Sequence, residues 1–213
     1  MSNEVGPKLP ADFPSVIQDG KNNLNLTNNS GGTVNLNYYA SNDRPSSSSE
    51  KLIAIQSFSK DYYQLIVTQE DDVFQTNVIT VSTDRALAKR YVPEEIFERC
   101  SSLSAEGIEL LKTFPAVICQ ENTEHHGITS PNQWAMYSYI RKVQVAGGNV
   151  KIAFEPIQPF PQIKMCGKRA AVFFDLVMDC AITDLNHSAW SVHRANLFDA
   201  FKEVGLIDMP MPI

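Results

Sequence analysis

The run Trp134-Ala-Met-Tyr-Ser-Tyr-Ile-Arg-Lys-Val-Gln-Val-Ala-Gly-Gly-Asn-Val-Lys-Ile-Ala-Phe-Glu155 reads as one antiparallel hairpin. Its first limb, 134–145, is aromatic and β-branched. Ala146-Gly-Gly-Asn149 has turn chemistry, because glycine takes positive φ without a Cβ penalty. The second limb alternates: Val150, Ile152 and Phe154 fall on one face, Lys151 and Glu155 on the other, as a half-buried strand requires. A lone hairpin is marginal in water, so further strands must cover it. Leu52-Ile-Ala-Ile-Gln56 and the segments 62–68, 77–82 and 116–119 supply strand-like runs. Pro156, Pro159 and Pro161 predict an end to regular structure after the hairpin.

Helical signals lie between and after these runs. Pro93 suits a first helical turn, with Ile96 and Phe97 as its apolar face. Ser104 can cap a second helix carrying Ile108, Leu110 and Leu111, which Pro115 stops. In 170–182, Val172, Phe173, Leu176, Val177 and Cys180 sit at helical spacing, with a short buried strand as the competing reading. A last helix over about 194–204 presents Leu197, Phe198, Phe201 and Val204, and Gly205 ends it. The expected fold class is α+β: a small antiparallel barrel or curled sheet with helices, over residues 51–213.

Residues 1–50 have a different character. Pro7, Pro10 and Pro14 interrupt the first stretch, Asn crowds 22–42, and Pro45-Ser-Ser-Ser-Ser-Glu50 reads as a flexible linker. Leu24 and Leu26, then Val34, Leu36 and Tyr38, alternate with polar residues around Asn28-Asn-Ser-Gly-Gly32, a polar two-sided hairpin pattern.

Composition narrows the function classes. The chain of 213 residues is 43% hydrophobic, enough for a core, and its net charge of −6 argues against a surface wholly given to nucleic acid or anionic lipid. No apolar run approaches the ~20 residues that span a bilayer. The N-terminus lacks a signal-peptide pattern, so a cytoplasmic location without membrane contact is expected. Cys100, Cys119, Cys166 and Cys180 have no CxxC spacing and are expected as buried thiols. No nucleophile, phosphate-loop or dinucleotide motif is present, and no cofactor is indicated.

Three constellations remain. Glu121, Glu124, His125 and His126 combine two carboxylates and two imidazoles on one loop, which suits a metal-dependent hydrolase or acid–base chemistry. Adjacent histidines on an extended loop point apart, and no HxH or HxxxH pattern supports the pair, so a solvated loop is the plainer reading. His187, Trp190 and His193 would share one helix face and could hold a base or aromatic ligand, or Trp190 could simply lock the last helix down. Arg141, Lys142, Lys151, Lys164, Lys168 and Arg169 form a local basic excess opposed only by Glu155. With Trp134, Tyr137, Tyr139 and Phe154 this predicts an RNA or single-strand platform, or an ordinary solvated hairpin face.

Two segments carry a resemblance. They are Leu111-Lys-Thr-Phe-Pro-Ala-Val-Ile-Cys-Gln-Glu-Asn122 and Asp184-Leu-Asn-His-Ser-Ala-Trp-Ser-Val-His-Arg-Ala-Asn-Leu197. Their order, with a hairpin between, resembles an uncharacterised bacterial domain family. Its first segment holds Leu-Pro-Ala followed by an acidic residue. Its second runs Leu-Asn-x-Thr-His-Trp-Ala-Val-Lys-x-x-Asp-Leu before a final helix. Roughly 100–197 is covered. Trp190, Val192 and Leu197 match; Ser188, Ser191 and Asn196 replace Thr, Ala and Asp; Ala189 and His193 stand where the family has His and Lys. The resemblance implies an accessory component of a bacterial defence or mobile-element operon.

The expected function is therefore non-enzymatic interaction or regulation with a protein partner, nucleic acid being the alternative partner, and with self-association through the N-terminal segment. Thr33-Val-Asn-Leu-Asn-Tyr-Tyr39 has strand propensity, no charge and no proline, and Asn side chains can ladder between stacked copies. Asp43, Arg44 and Pro45 follow as a gatekeeping stop, which fits a solubilising tail or an added edge strand instead. If the segment self-associates, a peptide spanning 21–42 forms thioflavin-positive fibrils, and deleting 1–46 leaves a folded monomer. A peptide that stays monomeric at high concentration makes the segment an ordinary tail.

Overall fold

The computed structural model describes residues 47–212, so the readings on the Asn-rich segment 1–46 lie outside it. Six strands form one mixed, curled sheet: β1 (Tyr63–Thr68), β2 (Val78–Ser82), β3 (Pro115–Gln120), β4 (Trp134–Ala146), β5 (Asn149–Pro161) and β6 (Ala189–His193). Their spatial order is β2-β5-β4-β3-β1-β6. Every neighbouring pair is antiparallel except β1 and β3, which run parallel from Gln64 beside Ala116 to Thr68 beside Gln120. The helices are α1 (Ser48–Gln56), α2 (Val73–Thr76), α3 (Glu94–Cys100), α4 (Ala105–Lys112), α5 (Lys168–Phe174) and α6 (Leu197–Glu203). The class is α+β with a curled sheet, as expected.

Strand alternation divides the core between the two sheet faces. On one, Tyr63, Leu65, Val117, Tyr137 and Phe160 pack against α1, α5 and α6, with Phe201 edge-on to Tyr137, Phe160 and Phe174. On the other, Ile66, Ile118, Ile152, Phe154 and Trp190 pack against α2, α3 and α4. Both faces of β1 and β3 are therefore covered, and these strands read as continuous apolar runs. Gln64 is the exception. It is fully buried in β1. Its Nε2 donates to the carbonyls of Leu111 (2.9 Å) and Phe114 (3.1 Å), and its Oε1 accepts from Trp190 Nε1 (3.1 Å).

Some elements differ from the sequence reading. The run Leu52–Gln56 is helical, not a strand. Ser47 Oγ accepts from the Glu50 N–H and the Glu50 carboxylate accepts from the Ser47 N–H, a capping box built from the serine run that reads as linker. Only Ile55 of α1 is fully buried, and Leu52 and Ile53 face out. β5 continues through Pro156, Pro159 and Pro161. β2 pairs with β5 only from Asn149 to Ala153, so the proline-bearing half has a free edge that needs no N–H donors. α5 stops at Phe174 because Asp175 turns left-handed (φ 55°); it buries Ala170, Ala171 and Phe174 and leaves Val172 exposed, and Val177, beyond its end, is exposed too. Cys100 and Cys119 are buried, Cys166 is half-buried, and Cys180 is exposed.

Gln64 sets a stability prediction. Gln64→Leu keeps the volume but leaves the Trp190 N–H without its acceptor and takes the Gln64 donor from the Phe114 carbonyl, while the Leu111 carbonyl still accepts from the Phe114 N–H. Each orphaned buried group costs about 1–3 kcal/mol, so the urea midpoint should fall by the equivalent of about 2–4 kcal/mol. Val172→Ala, at a side chain 77% exposed, should change stability by less than about 0.5 kcal/mol. Equal stability of the Gln64 variant and wild type would contradict the role given to this amide.

Candidate binding cleft

Parallel neighbours send their carboxyl ends to the same end of a sheet, where departing loops diverge and leave a crevice. β1 and β3 do this here. A cleft of about 720 Å³ opens where they end, lined by Thr68, Gln69, Asp71, Glu121, His125 and Asn186 among others. Its walls are the segments after β1 and β3 and the approach to β6. The loops 120–132 and 175–188 are tied together: Asn122 N–H donates to Leu185 O (2.7 Å) and His126 N–H to Ala181 O (2.9 Å). Asn186 Nδ2 donates to the carbonyls of Asn122 (3.0 Å) and Glu124 (2.7 Å).

Glu121 is fixed at the mouth. One carboxylate oxygen accepts from Ser188 Oγ (2.8 Å), the other from Gln69 Nε2 (2.9 Å). Gln133 Nε2 holds its backbone carbonyl at 3.0 Å. Beneath lies a buried polar knot. Gln162, fully buried, brackets Gln120 with two bonds, to its N–H (3.0 Å) and its carbonyl (2.7 Å). Asn122, 3% exposed, accepts through Oδ1 from Gln162 Nε2 (2.9 Å) and Thr129 Oγ1 (3.0 Å). Its Nδ2 makes no hydrogen bond of ordinary geometry among the described residues, although the amide lies close enough to Cys166 to favour a thiolate there. Burial outweighs that help and the Thr129 contact, and pushes the Cys166 thiol up.

Of the loop residues singled out in the sequence, Glu121 and His125 line this cleft, while Glu124 and His126 are exposed and do not. Among the described residues no set of three His, Cys, Asp or Glu side chains converges on a metal position.

His187, Trp190 and His193 do not share a face, because 189–193 is a strand and not a helix. Trp190 points into the core with Ile66 and Ile118, bonded to Gln64. His193 points to the opposite face and stacks on Tyr63, ring centroids 5.2 Å apart. His187 lies against Tyr91 at 5.1 Å. His193 also sits in a nucleophile–base–acid order: Ser191 Oγ is 2.9 Å from Nε2, and Nδ1 is 2.7 Å from the Asp175 carbonyl and 3.9 Å from its carboxylate. Both Ser191 and His193 are buried, and Ser191 Oγ also donates to Leu65 O (3.2 Å). Neither lines the cleft at the carboxyl ends of β1 and β3, and the set ties β6 to the end of α5.

The basic residues are partly spent within the protein. Arg141 and Lys51 both pair with the buried Glu155 carboxylate (3.3 and 2.8 Å). Arg169 pairs with Glu203 (3.0 Å), and Lys164 Nζ donates to Val204 O (3.4 Å). Lys142, Lys151 and Lys168 are exposed. Lys142 and Lys151 share a sheet face near the hairpin turn, opposite Val143 and Ile152, because their partners Ala153 and Gln144 sit in that register.

Sequence reasoning passed over Asn122, Gln162 and Asn186. The available signal was a polar run at the carboxyl end of an apolar one, as Gln120-Glu-Asn122 is after Val117-Ile-Cys119. No protein family, curated protein or solved structure matches the chain.

His193 generates a pH prediction. Burial lowers its pKa; Asp184, and Asp175 through its carbonyl and its charge, oppose this more weakly. The unfolded chain thus binds the proton at higher pH than the folded one. Stability is complete above the ordinary histidine pKa of about 6.5 and falls as pH drops through it, by up to about 1.4 kcal/mol per pH unit until the folded imidazole also protonates. Urea midpoints at pH 7.5 and 5.5 should show this loss in wild type and a smaller loss in His193→Gln. An identical loss in both would assign the pH dependence elsewhere.

Proposed function

We propose that this chain is a non-enzymatic recognition protein, and that its partner presents a basic side chain to the cleft at the carboxyl ends of β1 and β3. Asp71 and Glu121 both line that cleft, and no Lys or Arg does. The carrying observation is Glu121, whose two carboxylate oxygens are already oriented by Ser188 and Gln69. An ionised carboxylate has about four acceptor sites, so a guanidinium can still bond it without rearranging the wall. Orientation in advance lowers the entropy cost of binding.

The surroundings favour a protein segment over a free ion. Ile182 at the cleft is 63% exposed, and Trp134, next in the chain to Gln133, is 48% exposed. An arginine flanked by an apolar residue matches both features. The resemblance over roughly 100–197 suggests the setting: an accessory component of a bacterial defence or mobile-element operon, acting by contact with another protein.

The test uses a capped glycine–arginine–leucine–glycine peptide and its citrulline counterpart, followed by Trp134 fluorescence. The arginine peptide should bind saturably. Replacing arginine by citrulline, or introducing Glu121→Gln, should weaken binding about tenfold, the worth of one charge-assisted bond of about 1.4 kcal/mol. Equal binding of the two peptides, or no saturation by about 10 mM, would overturn the proposal.

A further inference from the structure

We propose that a second cleft, beside the outer edge of β6, binds the phosphate of a small phosphomonoester that carries a planar ring. This cleft of about 340 Å³ is lined by Arg85, Arg90, Tyr91, His187 and Ala189, and meets the first only through Ile182 and Asn186. Its size is at the lower end for small-molecule sites.

The edge of β6 builds it. Trp190 N–H donates to Arg85 O (3.0 Å), Leu87 N–H donates to Trp190 O (2.8 Å), and Ala86 bridges Trp190. These bonds fix Arg85 at the edge of the sheet. Leu87 then takes a left-handed conformation (φ 53°), uncommon for a leucine, and its burial at 1% exposure holds it there. The chain turns at once into the single helical turn Lys89–Tyr91, which returns Arg90 and Tyr91 toward β6.

The side chains form a cationic and aromatic shelf. The Arg90 guanidinium lies over the Tyr91 ring, 4.5 Å from its centroid, and the Tyr91 ring meets His187 at 5.1 Å and 37°. A guanidinium stacked on a ring keeps its edge N–H groups available for forked bonds to phosphate oxygens. Among the described residues neither Arg85 nor Arg90 forms an ion pair, whereas neighbouring Lys89 reaches Glu94 at 3.7 Å. Asp84 adjoins Arg85; the Ser82 side chain does most to lower its carboxyl pKa, and the Arg85 charge adds a weaker attraction without a salt bridge. Two guanidiniums without a salt bridge among the described residues, beside a ring pair, fit an anion and a flat group together. The walls contain no carboxylate.

Calorimetry with adenosine monophosphate, inorganic phosphate and adenosine tests this. The monophosphate should bind saturably, phosphate more weakly, and adenosine not measurably. Arg85→Gln and Arg90→Gln should each weaken monophosphate binding by about tenfold or more, and Arg90→Lys, which keeps the charge but not the fork, should lie between. Glu121→Gln should leave it unchanged, which separates this cleft from the first. Adenosine binding as well as its monophosphate would overturn the assignment, as would folded arginine variants with wild-type affinity. So would a single strand of about twelve nucleotides bound far more tightly than the monophosphate with a steep salt dependence, since that identifies a nucleic-acid surface instead.

Discussion

A single amide joins the two halves of this domain. Gln64 stands in β1, between the parallel partner β3 and the closing strand β6, at a position that alternation would give to an apolar residue. It reaches the carbonyls at the end of α4 and the indole of Trp190. The helix that precedes β3 and the strand that pairs with β1 are thereby fixed to the same side chain. A buried amide with every bond made specifies one arrangement, because any slip of β1 leaves several groups unpaired at once. The parallel pair is anchored at this amide as well as by its own ladder, and the polar cleft opens at its end.

Much of the architecture is legible in the chain. The hairpin around Gly147 and Gly148, the strands at 62–68 and 116–119, the Ser104-capped helix and the terminal helix all follow from alternation, caps and turn residues. The failures have identifiable causes. Leu52-Ile-Ala-Ile-Gln56 is too short for period to separate strand from helix, and the deciding signal, Ser47 three residues before Glu50, lies in a run that composition marks as linker. Prolines end a central strand but not a strand edge, and edges are set by sheet order, which no local pattern reveals. Helical spacing placed His187, Trp190 and His193 together; strand geometry sends the last two to opposite faces.

The candidate sites were harder to read for a related reason. Glu121 could be singled out from its neighbours in sequence, but its partners Ser188 and Gln69 lie 67 and 52 residues away. Arg85, Arg90 and Tyr91 line one cleft with His187 because the segment before α3 bonds to the backbone of β6. Recognition built from loop ends depends on contacts between distant segments, while recognition built on one hairpin or helix shows in the sequence directly. Arg141 illustrates the converse: its charge is plain in the sequence, yet the buried Glu155 uses it inside the protein.

The prolines of β5 have a consequence for the protein in a crowded solution. An open sheet offers rows of unpaired N–H and C=O groups onto which a foreign strand can grow. Here the bare half of β5 carries Pro156, Pro159 and Pro161, which cannot donate. On the adjoining edge strand the Glu70 carboxylate accepts the outward N–H of Thr80 (3.1 Å), and at the far side the segment through Ala86 bonds to Trp190 in β6. Both flanks of the sheet are thus poor templates for cross-chain strand addition. A domain with these margins can hold a curled, unclosed sheet without seeding fibrils from it.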